Sequence, residues 1–266
     1  MENRVRLTIE SGVAHLRLNR PDKMNALDPA MFKAIIEAGT QLGARKDVRA
    51  AVISGEGRAF CAGLDLDRLI ATANGDPLLP SIDLTRRTHS IANYAQHLVW
   101  LWRELPVPVI AAVHGVAFGG GFQFALGADF RYFAPGTKLA IIEAKWGLVP
   151  DMCGTHLARH LAREDIVREL TYTGRIFSAE EALAYGFATR MFDDPVAAAL
   201  ATAHEIASRS PDAIRAAKRL LNLSATSDEA TGLAAETAEQ AALLGTPNHA
   251  EAVRSNLNRP PRWSYS

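Results

Sequence analysis

The chain has 266 residues, 48% of them apolar, which is enough for a large buried core and excludes disorder as the dominant state. Lysine plus arginine and aspartate plus glutamate stand at 29 each, so no global field draws the protein to nucleic acid or to an acidic membrane surface. The two cysteines, Cys61 and Cys153, lack the paired spacing of a zinc or disulfide framework, and no apolar run approaches the roughly 18 residues that span a bilayer. The N-terminus is charged and alternating rather than signal-like, so a soluble protein of the cytoplasm is the simplest expectation.

In chain order, Val5, Leu7 and Ile9 alternate with polar residues, Ser11-Gly12 suits a turn, and Leu16 and Leu18 resume the alternation. This predicts an opening β-hairpin. Asp28-Pro29 predicts a helix start, with Met31, Ile35, Ala38 and Leu42 as its apolar stripe. Ala50 to Ser54 and Pro108 to Val113 read as short strands, each ending in a glycine-rich turn, a rhythm that implies stacked βα units. Thr72 to Ser81, with Asn, Gly, Asp and two prolines, reads as a surface loop. Beyond Gly174 the pattern becomes almost wholly helical: Ser178-x-x-Glu181 is a capping box, and alanine-rich helices are expected near Pro195, Pro211 and Asp228. The expected division is a core over residues 1–195 and a helical C-terminal part over 196–266.

Two segments carry chemistry: Ala59 to Leu66, AFCAGLDL, and His114 to Gln123, HGVAFGGGFQ. Each reads as a strand, a glycine turn and a helix. Such a turn serves either as a tight connection or as a place where uncovered N–H groups meet an anion. Two converging donors would form an oxyanion hole. A dinucleotide site is excluded by the lack of G-x-G-x-x-G, a P-loop by the missing lysine, and an α/β-hydrolase by the lack of G-x-S-x-G.

The ordered set NRPDKMNAL (Asn19 to Leu27), AFCAGLDL, PVIAAVHGVAFGGGFQFALGADFR (Pro108 to Arg131) and GLVPDMCGT (Gly147 to Thr155) resembles the enoyl-CoA hydratase/isomerase, or crotonase, superfamily over nearly the whole chain. The resemblance implies an α/β fold, a crotonase-like spiral of ββα repeats with a helical C-terminal trimerisation part. It also implies a homotrimer or a hexamer built as a dimer of trimers, a CoA thioester substrate, and no metal or redox cofactor. Carried over position by position, the oxyanion amides fall on Leu64 and Gly120. Asp65, Leu66 and Asp67 continue the segment beside the pantetheine arm, and Lys23, Met24, Ala26 and Ala62 lie where the family holds the CoA nucleotide.

Hydratases of this family use two glutamates, at positions that here read Gln123 and Glu143. Glutamine exchanges no proton as a carboxylate does, so the two-glutamate hydration machinery is incomplete. Gln123 is left to orient a neighbour or to touch substrate. Glu143 and Asp151 resemble the glutamate and aspartate that dienoyl-CoA isomerases place on opposite sides of the substrate, although those enzymes carry an acid where Gln123 stands. Hydrolytic dehalogenases of the family have an aspartate at position 151, but they have tryptophan at 143. The expectation is therefore double-bond isomerisation with Glu143 and Asp151 as acid/base pair. Hydration, or silent acyl-CoA binding, stands as the alternative. Asp151 has a second reading as the cap of a helix beginning near Cys153. His97 is expected to be a satisfied, partly buried histidine on a helix, and Cys61 a small packing residue.

Overall fold

The computed structural model describes residues 4–79 and 82–257. Strands β1 (Val5–Glu10) and β2 (Val13–Leu18) form the expected hairpin, with Val5 opposite Leu18 and Glu10 opposite Val13. Ser11 and Gly12 both take positive φ, 48° and 79°, which is the twist that a two-residue hairpin loop requires. Helix α1 (Pro29–Gly43) begins where Asp28 accepts from the Met31 N–H at 2.7 Å, and its stripe of Met31, Ile35, Ala38 and Leu42 is buried.

The main sheet is completed by β3 (Ala50–Gly55), β4 (Val109–Val113), β6 (Phe130–Phe133) and β9 (Arg190–Met191), in the order β1-β2-β3-β4-β6-β9. Every pairing after the hairpin is parallel. A second sheet, β5-β7-β8, is formed by Val116–Phe118, Lys138–Ala140 and Phe177–Ser178. The chain therefore visits the main sheet, then the second sheet, then a helix: β4, β5 and α4 (Gly120–Leu126), followed by β6 and β7. The first circuit is the same in outline, because Cys61, just after β3, bridges to Ala117 in β5. This is the expected ββα spiral.

Period-two alternation divides the strands between two cores. Ala51, Ile53, Val109, Ala111 and Val113 face the larger cluster with α1, α3 (Tyr94–Glu104) and α4. Val52, Ile110 and Ala112 face α8 (Pro195–Ala207), whose Ala199, Ala203 and Ala207 are small enough for close approach to the sheet. Helix α8 thus covers the sheet's second face from within the span assigned to the helical part. Beyond it, α9 (Pro211–Ser224) is anchored by the buried Lys218, which donates to the Val107 carbonyl at 2.8 Å and pairs with Asp129 at 2.9 Å. Helix α10 (Glu229–Leu243) packs on α9, and α11 (Pro247–Leu257) follows. Among the described residues no helix is long and apolar enough to cross a membrane.

The structure corrects three local readings. The glycine turn at 119–121 does not follow β4 directly; β5 intervenes because Val116–Phe118 finds partners on both sides, in β7 and in Cys61. Thr72 and Ala73 end α2 (Leu66–Ala73) rather than opening a loop, and Pro80 and Ser81 lie outside the described residues. After α6 (Glu164–Thr173) and Gly174 the chain still contributes β8, then α7 (Ala179–Tyr185) and β9, before it becomes wholly helical.

Candidate active site

Asn25 and Met24 both adopt left-handed backbone conformations, φ 55° and 50°, so the segment after a single 3-10 turn (Pro21–Lys23) bends sharply. The Asn25 amide holds that bend by donating to the Glu56 and Ala59 carbonyls at 2.9 and 2.8 Å and accepting from the Arg20 N–H at 2.8 Å. Leu27 then lies beside residues 63–65: its N–H donates to Gly63 O at 2.7 Å, and its carbonyl accepts from Asp65 N at 3.1 Å. In such a parallel bridge the intervening residue, Leu64, points its own N–H to the other side of the strand.

On that other side lies the second glycine turn. Cys61 N donates to Val116 O at 3.0 Å and Phe118 N to Cys61 O at 3.1 Å. The approach is close enough that side chains are excluded. A Cβ on Gly63, at φ 87°, would sit 2.5 Å from Phe118 O and 3.6 Å from Gly120 N, and one on Gly121 would collide with Cys61 O. Gly120 opens α4, where no helical carbonyl precedes it to accept its N–H. Neither the Leu64 nor the Gly120 amide has an acceptor among the described residues.

These two turns border a cavity of about 540 Å³. Its lining brings together Lys23, Met24, Ala26, Ala62, Leu64, Asp65, Leu66, Gly120, Gln123, Glu143 and Asp151, and is otherwise mostly apolar, with Phe118, Trp146 and Met152 among the walls. Of the residues expected at the site, Asp67 is the exception: it lies outside the lining and reaches Lys23 across exposed surface at 3.3 Å. Such a pair contributes little to stability.

Glu143 begins a 3-10 turn (Glu143–Trp146) after β7 and is 8% exposed. Gln123 donates to its Oε1 at 2.6 Å, while Oε2 is buried without a partner among the described residues. Burial raises the Glu143 carboxyl above the ordinary range, and the nearby Asp151 charge adds to this against the opposing Gln123 hydrogen bond. Gln123 is itself fixed, since its Oε1 accepts from Met152 N at 2.8 Å and Gly154 N at 2.9 Å. Two donors on one amide oxygen leave its NH₂ to face Glu143, and Gln123 also lines the cavity.

Asp151 stands where the cavity opens to solvent, yet enough protein crowds its carboxyl that burial raises it too. It does not cap the following helix: α5 (Gly154–Ala158) starts from Cys153 without a side-chain cap. The Asp65 carboxylate faces inward, 3% exposed, accepting from the Asp67 N–H at 2.9 Å and pairing with Arg20. Burial pushes this carboxyl up, but the hydrogen bonds from Arg20 and Asp67 and the charges of Arg20 and Lys23 outweigh it and hold it below the ordinary range. Arg20 and Asn25 hold the backbone beside the cavity through side-chain hydrogen bonds and are absent from the expected set. Both lie inside the NRPDKMNAL motif, but their partners are remote in sequence.

His97 is not satisfied as expected. Its Nδ1 has no partner among the described residues, and its ring stacks on His89 at 3.8 Å. Burial and the neighbouring His89 lower it to about 4, so the neutral ring tolerates the stack. Cys61 is buried, and burial pushes its thiol up to about 12, which suits packing and not nucleophilic attack.

A family model described as Enoyl-CoA hydratase/isomerase matches residues 8–264. The chain is 36% identical to the human mitochondrial Delta(3,5)-Delta(2,4)-dienoyl-CoA isomerase over 218 residues, 77% of this chain and 64% of that enzyme's length. It is 32% identical to the mouse mitochondrial methylglutaconyl-CoA hydratase over 261 residues, 95% of this chain and 79% of the relative. A Thermobifida fusca structure solved in complex with CoA superposes with a TM-score of 0.81 at 33% identity, covering 95% of each chain.

Proposed function

Because the chain belongs to the enoyl-CoA hydratase/isomerase family, we propose that it shifts a double bond along an acyl-CoA thioester rather than adding water across it. The observation that carries this reading is the state of the two glutamate positions. Glu143 lines the cavity with one carboxylate oxygen uncommitted, whereas Gln123 is consumed in orienting it. Hydration by two acids needs a second proton carrier that Gln123 does not supply.

In this reading the Leu64 and Gly120 N–H groups receive the thioester oxygen. Glu143 removes a proton from the saturated carbon α to the carbonyl, the electron pair moves onto that oxygen as a dienolate, and a proton returns at the far end of the conjugated system so formed. Asp151, at the same cavity, serves that far end. Raised carboxyls suit both directions of transfer, since a group poised nearer neutrality gives and takes protons readily. An oxyanion donor of this kind contributes about 10²–10³ in rate. Lys23, Met24, Ala26 and Ala62 are assigned to the CoA moiety, and Asp65, Leu66 and Asp67 to the segment beside the pantetheine arm. We also assign a homotrimer or hexamer; Leu233, Leu244 and Leu257, exposed on and around α10 and α11, support association through the C-terminal helices.

The test is a set of defined 3,5-dienoyl, 3-enoyl and 2-enoyl thioesters, with products identified by mass and ultraviolet absorbance. Isomerisation of one of the first two, without water addition to the third, is expected. Efficient hydration of a 2-enoyl thioester would replace this reading with the hydratase one.

A further inference from the structure

We propose that Arg20 is a positioning residue of the thioester site: by holding the Asp65 carboxylate and the Ala26 carbonyl at once, its guanidinium fixes the direction of the Leu64 N–H. The proposal rests on the reading of that N–H as a donor to the thioester oxygen.

Leu64 makes no backbone hydrogen bond of its own among the described residues, so its orientation is inherited from its flanks. On one flank Gly63, at φ 87°, has no side chain and can be held only through its backbone, at Leu27 N. On the other, Asp65 supplies a side-chain anchor. Its carboxylate accepts from Arg20 Nη1 and, through its other oxygen, from the first turn of α2. The same Arg20 Nη1 reaches the Ala26 carbonyl at 3.3 Å, next to Leu27, so one guanidinium braces both strands of the Leu27–Leu64 bridge. Arg20 is itself tied back to the main sheet, because its N–H is held by Asn25, whose amide grips the turn after β3 at Glu56 and Ala59.

Water does not substitute readily for this brace. The Arg20 and Asp65 side chains are 13% and 4% exposed. The other acid near Arg20, Asp28, at 3.7 Å, is already committed to capping α1 and to Arg4 at 2.6 Å. Without the guanidinium, a buried carboxylate keeps only the α2 cap and either takes up a proton or swings outward. Either response removes the side-chain anchor of the residue that follows Leu64 and leaves it held through its backbone, at the Leu27 carbonyl and in the first turn of α2. Because the oxyanion develops in the transition state, a misdirected donor lowers kcat more than it weakens ground-state binding.

The experiment uses Arg20→Met, Arg20→Lys and Asp65→Asn in the full chain, with two readouts. One is kcat and KM on a thioester that the wild type isomerises. The other is the absorbance maximum of a bound aryl-acryloyl-CoA, which moves to longer wavelength as the thioester carbonyl is polarised and is indifferent to stability. In Arg20→Met, kcat is expected to fall about 10- to 100-fold with KM within about threefold, and the spectral shift to shrink by about half or more. Arg20→Lys, which keeps the charge, is expected to recover most of both. A folded Arg20→Met with wild-type kcat, or with lowered kcat but the full spectral shift, overturns the proposal. If Arg20→Met does not fold, the isosteric Asp65→Asn, which retains an oxygen for the cap, decides: unchanged kcat and shift overturn it. A wild-type enzyme that leaves the chromophore unshifted sinks the oxyanion reading itself, a result distinct from any of these.

Discussion

Gln123→Glu would restore the acid that hydratases of the family carry at this position, and the geometry says that it should damage the enzyme rather than convert it. The residue's Oε1 is bound to two backbone donors, Met152 N and Gly154 N, so the side chain cannot rotate without abandoning both. The atom that becomes oxygen is therefore the one 2.6 Å from Glu143 Oε1. Two carboxylates at that separation share one proton. The two N–H donors favour the charge on residue 123, which leaves the proton on Glu143. For charge centres about 4 Å apart and an effective dielectric of about 20, the repulsion is about 4 kcal/mol, a factor of about 10³ in the ionised fraction of Glu143. Isomerase activity near neutral pH is expected to fall about 10²- to 10³-fold and to recover as pH rises, since Glu143 must lose its proton to act as base. A pH profile of kcat/KM, with water addition assayed in parallel, reads this out. Near-normal isomerisation at neutral pH with an unmoved acid limb, or the appearance of robust hydration, would refute the reasoning.

Three further outcomes follow from the same geometry. Glu143→Gln should lower turnover at least about 10³-fold while leaving acyl-CoA affinity, read by calorimetry, within about threefold; its folded-state carboxyl is raised, so ionisation costs stability as pH climbs, and the variant should melt above the wild type at about pH 8, with the gap closing towards about pH 4. Asp151→Asn should retain exchange of the substrate proton that Glu143 handles, seen by mass spectrometry in deuterated water, while product formation slows about 10²-fold or more. Gly63→Ala places a methyl 2.5 Å from Phe118 O at φ 87°, which should cost about 1–3 kcal/mol, or about 2–4 °C in Tm per kcal/mol, and depress kcat by parting the two turns.

Much of the architecture was legible because its signals are local. The alternation of Val5 to Leu18, the Asp28-Pro29 start and the α1 stripe describe elements that hold together through neighbours a few residues apart. The residues carried over from the family resemblance, apart from Asp67, line one cavity. The short strand β5 escaped notice because three residues carry too little alternation, and its existence depends on partners at Cys61 and at Lys138–Ala140. The unsatisfied His97 ring was equally hidden, since an apolar helical face says nothing of whether a polar atom finds a mate.

What the sequence by itself determined is the inventory: glycines where two backbones must touch, a glutamate and an aspartate near the second turn, and glutamine where a second acid was expected. What only the tertiary structure decided is commitment. That Gln123 spends its oxygen on Met152 and Gly154 and its NH₂ on Glu143, and that Arg20 braces Asp65 across 45 residues of chain, are facts of hydrogen-bond geometry. Periodicity and spacing report which face a side chain takes, whereas a donor's direction and an acceptor's occupancy arise only when distant segments are brought within about 3 Å.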